Sequence, residues 1–346
     1  MSAIGVWSAP DAGRMAVSFR FLLSLYVVIP LCLLLAAADR WLLAGQLRAS
    51  LPSSPSHFLL FQLLFGTPHI IASNLLLAGH ADYLCEFKHK LLGMSLCIAL
   101  FFGVGSLFIP YRVLYVLTAC WTVYHVLKQQ HGVAKAVCGL PPLAFYLQLW
   151  LSVAAGILIY LGVFLKNSLS PEHADLVFWS SGLLSGLLLL STLWAQRFPR
   201  TGFGKWFLWA NSFLVAASWL VYAGQYYFLA ILMPRLVHDI TAYTFYVSHD
   251  VNRQAEGPDG WLHRAAAACG LPPAWVLPAV SVLLTFVLQQ YGDAAVNWLT
   301  EYWFSVPVYK AVSVGLIGYL ALMHYYSEAF VWAKGSPLRR YIHFAR

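Results

Sequence analysis

The sequence predicts an all-α protein, a polytopic bundle of about ten transmembrane helices that forms one integral membrane domain over residues 1–346. Composition is the first observation: 60% of the residues are hydrophobic and 10% are charged, against about 45–50% apolar and about 25% charged residues in soluble domains. Long apolar stretches are the second observation, and basic residues gathered in short loops are the third. Together they exclude a disordered chain, a soluble enzyme and a nucleic-acid-binding domain.

Ten apolar stretches can be recognised, and proline and glycine mark most of the gaps between them. In chain order they are 17–38, 57–79, 91–109, 111–137, 144–166, 174–196, 203–232, 235–252, 272–291 and 306–333. Because a span needs roughly 20 residues, these stretches leave no room for a large soluble domain. The six cysteines are dispersed without a C-x-x-C pair, so neither a zinc knuckle nor a redox dithiol is indicated.

The eighth stretch, 235–252, contains two histidines and two aspartates, and its hydropathy alone predicts a loop. The positions of the basic residues favour a crossing instead. Only with that crossing do the basic loop 197–205 and the basic tail 334–346 lie on the same side of the membrane, as the positive-inside rule requires. Both termini are then cytoplasmic. We expect the chain in the cytoplasmic (inner) membrane, with its basic loops in contact with lipid head groups.

Twelve histidines occur in this hydrophobic chain, and seven of them lie inside or at the edge of a predicted span. Ionisable residues within a membrane are costly and usually functional. The seven are His69, His80, His125, His131, His238, His249 and His324. Glu328 follows His324 by four residues, which places an imidazole and a carboxylate on one helix face, within reach of one metal ion.

Helical rise tests whether these side chains can meet. In the predicted topology most of them fall within a band about 15 Å deep. His238 is the exception, because it lies about 16 Å from His249 along the same helix and one ion cannot take both. We therefore favour His249 as a ligand, and we expect His238 to contact the substrate or a ligand residue. Candidate metal ligands are thus the seven histidines and Glu328.

Histidine with carboxylate suits iron, manganese, zinc or copper rather than an iron–sulfur cluster. The imidazoles exceed what one tetrahedral zinc needs, which favours a dinuclear non-haem iron site, or a single iron surrounded by further histidines. Other polar residues beside the histidines are candidate catalytic groups. Asp239 and Asp250 can orient imidazoles, and Lys128 and Gln129 can donate hydrogen bonds to a bound oxygen species or a substrate head group. Tyr124 is a polar-tipped aromatic of the same region.

Two short segments resemble a known family. Phe65-Gly66-Thr67-Pro68-His69 is similar to the Gly-x-Pro-His segment of the Brp/Blh-type β-carotene dioxygenases, and Gly79-His80-Ala81-Asp82 is similar to that family's second histidine segment. The resemblance implies a helical membrane bundle in which histidines, here His69 and His80, hold iron for cleavage of an apolar polyene with O₂. The membrane desaturases and hydroxylases are a second comparison, but their adjacent-histidine boxes do not occur in this sequence.

These observations favour a membrane-bound non-haem iron oxygenase, hydroxylase or desaturase. Its expected partners are a lipophilic small-molecule substrate, O₂, an electron-donor protein and membrane lipid, with no nucleic acid. Two other functions stay open at this point. A proton- or metal-ion-coupled transporter would use the same buried groups as an ion path, and a membrane electron carrier would use two of the histidines to clamp haem.

Overall fold

The computed structural model describes residues 14–55, 58–257, 260–333 and 335–345, so that Lys334 and Arg346 of the basic tail lie outside the described residues. The fold is all-α, as predicted. Its α-helices are, in chain order, α1 (Phe19–Ser24), α2 (Val28–Leu42), α3 (Gln46–Ser50), α4 (Leu59–Phe61), α5 (Thr67–Ala78), α6 (Ala81–Ile98), α7 (Tyr111–Cys138), α8 (Pro142–Phe164), α9 (Pro171–Ala195), α10 (Gly202–Ala223), α11 (Tyr227–Gln254), α12 (Gly260–Ala268), α13 (Pro273–Val287), α14 (Asp293–Phe304) and α15 (Ile317–Val331).

Short 3-10 and π segments extend or join several of these helices. The 3-10 segments are Leu25–Val27, Gly105–Leu107 and Pro337–Tyr341, and the π segments are Gln62–Gly66, Ala99–Val104, Leu288–Gly292 and Ala311–Leu316. The first π segment leads directly into Thr67-Pro68-His69 at the start of α5. Because Pro68 has no N–H, it cannot complete a regular helical hydrogen bond there, and the widened turn relieves the conflict.

The two ends of the described chain are joined by a small parallel sheet. Strand β1 (Ala16–Ser18) pairs with strand β2 (His343–Ala345), with Ala16 opposite His343. Asn252 at the end of α11 reinforces this junction: it binds both backbone polar groups of Met15 and donates to the carbonyl of Tyr341. The segments before the first helix and after the last one therefore lie side by side.

Among the described residues, seven helical stretches have the length and apolar composition to cross a membrane. They are Phe19–Leu42, Leu59–Ala78, Ala81–Leu107, Pro142–Phe164, Pro171–Ala195, Gly202–Ala223 and Pro273–Phe304. Of the ten predicted spans, the other three correspond to α7, α11 and α15, which carry most of the candidate metal ligands. Their polar residues, and the 15-residue length of α15, keep them out of this set. The number ten stays a prediction.

The boundary between the seventh and eighth predicted spans lies elsewhere than expected. The sequence places a break at Pro234, but α11 begins at Tyr227 and runs through Pro234. The chain turns at Gln225 instead, which adopts a left-handed backbone conformation with φ 65°. Within α11, Gln130 of α7 donates a 3.1 Å hydrogen bond to the carbonyl of Pro234, which ties α11 to α7 beside the proline.

The described residues group into two compact units, and the prediction of a single domain stays a prediction. The first unit comprises residues of 1–19, 60–110 and 240–346, and the second comprises 20–59 and 111–239. In the first, α5 packs against α13 and α15. In the second, α8 packs against α7 and α9, and α10 contacts all three. The division falls within α11, after Asp239.

Candidate metal centre

In the first unit, α5 and α15 bring two imidazoles together. His69 and His324 are 2% and 0% exposed. Their ring centroids lie 5.0 Å apart and the ring planes meet at 78°. One nitrogen of each ring lies within 4.8 Å of one nitrogen of the other. This edge-on arrangement of buried imidazoles is suited to sharing a cation.

Hydrogen bonds set the tautomer of each ring. Nδ1 of His69 lies 3.0 Å from the carbonyl oxygen of Phe65, and since a carbonyl can only accept, Nδ1 carries the proton. Nδ1 of His324 lies 2.8 Å from the hydroxyl of Ser73, which itself donates to the carbonyl of Ile70. With the hydroxyl proton of Ser73 directed at Ile70, Nδ1 of His324 is the donor to Ser73, and this is the tautomer that we assign to His324. Both rings keep the Nε2 lone pair, the one a metal ligand needs.

A carboxylate lies beside the second imidazole. Glu328 lies one helical turn after His324, and a carboxylate oxygen lies within 4.8 Å of a ring nitrogen of His324. Oε1 of Glu328 accepts hydrogen bonds from the hydroxyl of Tyr246 and from the indole N–H of Trp332, the latter at 3.1 Å. Two donors thus hold the carboxylate in place. Imidazole and carboxylate are donors suited to a divalent transition metal, and His324 lies within reach of both His69 and Glu328.

The second unit contains another imidazole pair. His125 of α7 and His238 of α11 are 6% and 1% exposed, and their ring centroids lie 4.8 Å apart at 81°. Asp239, the next residue of α11, lies 3.7 Å from the guanidinium of Arg235. The sequence analysis expected His238 to contact the substrate or a ligand residue, and the structure gives it an imidazole neighbour.

The remaining candidates of α7 lie in other surroundings. His131 is buried, and its Nε2 lies 2.8 Å from the hydroxyl of Ser152 on α8. Lys128 is exposed, with its ammonium 5.2 Å from the ring centre of Tyr124. Tyr124 in turn stacks on Trp150. Gln129 is half-buried. Roles for these residues in chemistry stay predictions.

His249 and His80 belong to an aromatic cluster of the first unit. The hydroxyl of Tyr83 lies 3.0 Å from Nε2 of His249, and the ring of Tyr83 lies 5.3 Å from that of His80. Tyr341 and Trp332 also contact the His249 ring, with centroids 5.3 and 6.2 Å away. The next residue, Asp250, lies 3.2 Å from the imidazole of His263. Trp332 also stacks on Tyr246, so this cluster adjoins the carboxylate of Glu328.

Sequence reasoning did not select Ser73, Tyr246 or Trp332. A signal existed for each of them: Ser73 follows His69 by four residues, Trp332 follows Glu328 by four, and Tyr246 precedes Asp250 by four, so each shares a helix face with a predicted site residue. The sequence does not show the contact of Tyr246 with Glu328, because it joins residues far apart in the chain.

Comparison with known proteins finds no matching family model, no similar curated protein and no similar solved structure.

Proposed function

We propose that this protein is a membrane-bound, metal-dependent oxidoreductase, a non-haem iron oxygenase, hydroxylase or desaturase that acts on a lipophilic substrate with O₂. The observation that carries the proposal is the arrangement of His69, His324 and Glu328: two buried imidazoles that are hydrogen-bonded through their Nδ1 atoms, and a carboxylate one turn from the second imidazole. This is the donor set that leaves coordination positions open for O₂ at a single iron.

The chain's own residues have defined tasks in this proposal. Bound iron would supply the activation of O₂. Phe65 and Ser73 hold the two imidazoles in the tautomer that presents Nε2. Tyr246 and Trp332 orient the carboxylate, and the hydroxyl of Tyr246 is a proton donor beside the centre. The apolar surroundings of the group exclude bulk water, which protects an oxidising centre from side reactions.

The pair His125–His238 supports a second iron ion. Two imidazoles are fewer protein ligands than a catalytic metal site uses, so this ion would need a further donor. Asp239, adjacent to His238, is the nearest carboxylate along the chain. We therefore propose up to two iron ions per chain, one on His69, His324 and Glu328 and the other on His125 and His238.

A membrane location with ten crossings and cytoplasmic termini is part of the proposal. The ammonium of Lys166 lies 2.8 Å from the hydroxyl of Ser53, so both belong to the same membrane face. Three of the seven apolar spans lie between them. A chain that leaves a membrane face and returns to it crosses an even number of times. Three apolar spans alone do not satisfy this, which supports a fourth crossing, by α7.

The other two polar helices follow by the same reasoning. Asn252, at the end of α11, binds Met15, so both belong to the same membrane face. Only the first apolar span lies between Met15 and Ser53, which puts Asn252 on the face opposite Ser53. Tyr226, just before α11, lies on that face with Arg48, which supports a crossing by α11. Asn252 also binds Tyr341, with one apolar span between them, which supports a crossing by the segment that contains α15. Three polar helices beside seven apolar ones give ten.

Metal analysis of single variants tests the proposal. We expect wild-type protein, purified in detergent, to contain one to two iron ions per chain and to lack the intense Soret band of haem. Glu328→Gln removes the anionic ligand and His324→Asn replaces an imidazole with a weak amide ligand, so each should lower the iron content by about one equivalent. His238→Asn should remove the second equivalent independently. His89→Asn, at an exposed position of α6, is the matched control.

Three outcomes would decide against the proposal. A Soret band would indicate the haem-binding electron carrier. Protein without metal above background, but with all ligand residues present, would favour the transporter. Full iron content in folded Glu328→Gln would remove the carboxylate from the ligand set.

A further inference from the structure

One end of the second unit carries a cleft with two cationic side chains, here called the basic cleft. Its volume is about 350 Å³, and its lining includes Arg48, Ser53, Lys166, Gln225, Tyr226 and Tyr227. Lys166 is held by the hydroxyl of Ser53 at 2.8 Å and by the ring of Tyr227, whose centre lies 4.4 Å from the ammonium. Arg48 lies over the ring of Tyr226, 6.0 Å from its centre.

The described lining of the basic cleft contains no carboxylate. Asp39 lies close by and is 0% exposed: its oxygens accept hydrogen bonds from the backbone N–H groups of Leu47 and Arg48, at 2.7 and 3.1 Å, and its charge partly offsets that of Arg48. Lys166 has no carboxylate beside it among the described lining residues. In the ten-span topology the cleft faces away from the cytoplasm. Basic residues are not favoured on that side by the positive-inside rule, so membrane orientation does not explain them. Two cations with hydroxyl and amide donors are suited to an anionic group.

An apolar cavity lies next along the same helix. Its volume is about 40 Å³, and Thr122, Val126, Val215, Ile231 and Pro234 are among its lining residues. Tyr227, Ile231, Pro234 and His238 follow one another at i, i+4, i+7 and i+11, so they share one face of α11. That face carries, in order, the basic cleft, the apolar cavity and the histidine pair. Tyr227 and His238 are about 16 Å apart along the helix.

We propose that the second unit binds an amphiphile with an anionic head group and an alkyl chain. The head group sits in the basic cleft between Arg48 and Lys166, and methylene groups of the alkyl chain occupy the apolar cavity on the side of His125 and His238. This inference rests on the proposed function for what happens at the histidine pair, and it specifies the substrate class. Binding itself requires neither metal nor turnover.

The test is a titration of the full-length protein in an uncharged detergent, with dodecyl phosphate as the probe. Inorganic phosphate supplies the head group alone, and dodecanol supplies the chain alone. We expect dodecyl phosphate to bind at least about a hundredfold more tightly than inorganic phosphate, because each buried CH₂ group contributes to affinity. Arg48→Gln and Lys166→Gln should each weaken dodecyl phosphate binding about tenfold or more. Lys205→Gln, at the opposite end of α10, is the matched control.

A second pair of variants tests the alkyl chain. Val215→Phe fills the apolar cavity and should weaken dodecyl phosphate about tenfold while leaving inorganic phosphate unchanged. Val287→Phe, at an exposed position, is its control. Should Val215→Phe fail to fold, Ser218→Leu fills the same cavity.

Each contrary result identifies the part that fails. Equal affinity for inorganic and dodecyl phosphate would mean a site for free phosphate only, and would overturn the amphiphile. Unchanged affinity in Arg48→Gln and Lys166→Gln would overturn the basic cleft as the head-group site. Unchanged affinity in the cavity-filling variant would overturn the path of the chain. Protein that binds dodecyl phosphate normally but never acquires iron would overturn the proposed function alone.

Discussion

Ser73 links the fold of α5 to the chemistry of α15. Its hydroxyl donates to the carbonyl of Ile70 and lies 2.8 Å from Nδ1 of His324, so in the proposed site it would orient the imidazole and leave Nε2 to the metal. Such partners of a ligand imidazole influence both the ring orientation and its basicity.

Ser73→Ala therefore should lower the affinity of the His69–His324–Glu328 group for iron by roughly 10–100-fold, without loss of the fold. Competition with a chelator measures the affinity. Ser106→Ala, at an exposed position, should leave it unchanged. An affinity equal to that of wild type in Ser73→Ala would mean that His324 does not bind iron through Nε2.

How much of this centre the sequence reveals depends on the distance between the residues along the chain. His324 and Glu328 are one turn apart, so their spacing alone predicts that they share a face. The contact of His69 with His324 joins different helices, and the sequence supported it only through the estimated depths in the membrane. The bond between Tyr246 and Glu328 depends on the rotation of two helices about their axes, which no local pattern records.

At the scale of helices, a polar network joins α8, α9 and α10. The amide of Gln148 donates to Ser191 at 2.7 Å and accepts from Thr192 and Ser212, both at 3.1 Å. All four residues are buried. Between membrane helices, hydrogen bonds of this kind fix the rotation of each helix and its distance from its neighbours.

Gln148→Leu should accordingly destabilise the second unit, because it leaves three hydroxyls on two helices without their common partner. We expect a loss of about 1–2 kcal/mol in the free energy of unfolding, measured as a lower midpoint in denaturant or on heating. Gln46→Leu, on the exposed surface of α3, should not change the midpoint. A midpoint unchanged in Gln148→Leu would show that hydrocarbon packing alone holds these helices.

The helix that the sequence describes least well is α11. Periodicity reveals its polar faces, but a proline in an apolar run predicts a helix end. The turn lies earlier in the chain, at Gln225, and the helix continues through Pro234, whose carbonyl accepts a hydrogen bond from Gln130 of α7. The contact with Gln130 comes from a residue about a hundred positions away, so local propensity could not include it.

At the scale of the whole molecule, hydropathy and contacts carry different information about topology. Hydropathy recognises seven spans and omits α7, α11 and α15, whose polar residues make them poor membrane helices when each is considered alone. Such helices become stable when their polar faces point toward protein. The placement of basic residues in the sequence supports the same three crossings, because it reports on where loops lie and does not depend on the composition of the helix.

Cysteine labelling tests the ten crossings through the loops that border the three polar helices. With the exposed Cys85, Cys97 and Cys269 replaced by serine, single cysteines are introduced at Ser50, Asn167, Ala255, Tyr309 and Arg340, all at exposed positions. A membrane-impermeant maleimide applied to intact cells should label positions 50, 167 and 309 and should reach 255 and 340 only after permeabilisation. Positions 50 and 167 lie on either side of α7 in the chain, 167 and 255 on either side of α11, and 309 and 340 on either side of α15.

Labelling of 50 and 167 from opposite sides would remove the crossing by α7. Labelling of 167 and 255 from the same side would remove the crossing by α11, and with it the argument that the basic cleft faces away from the cytoplasm.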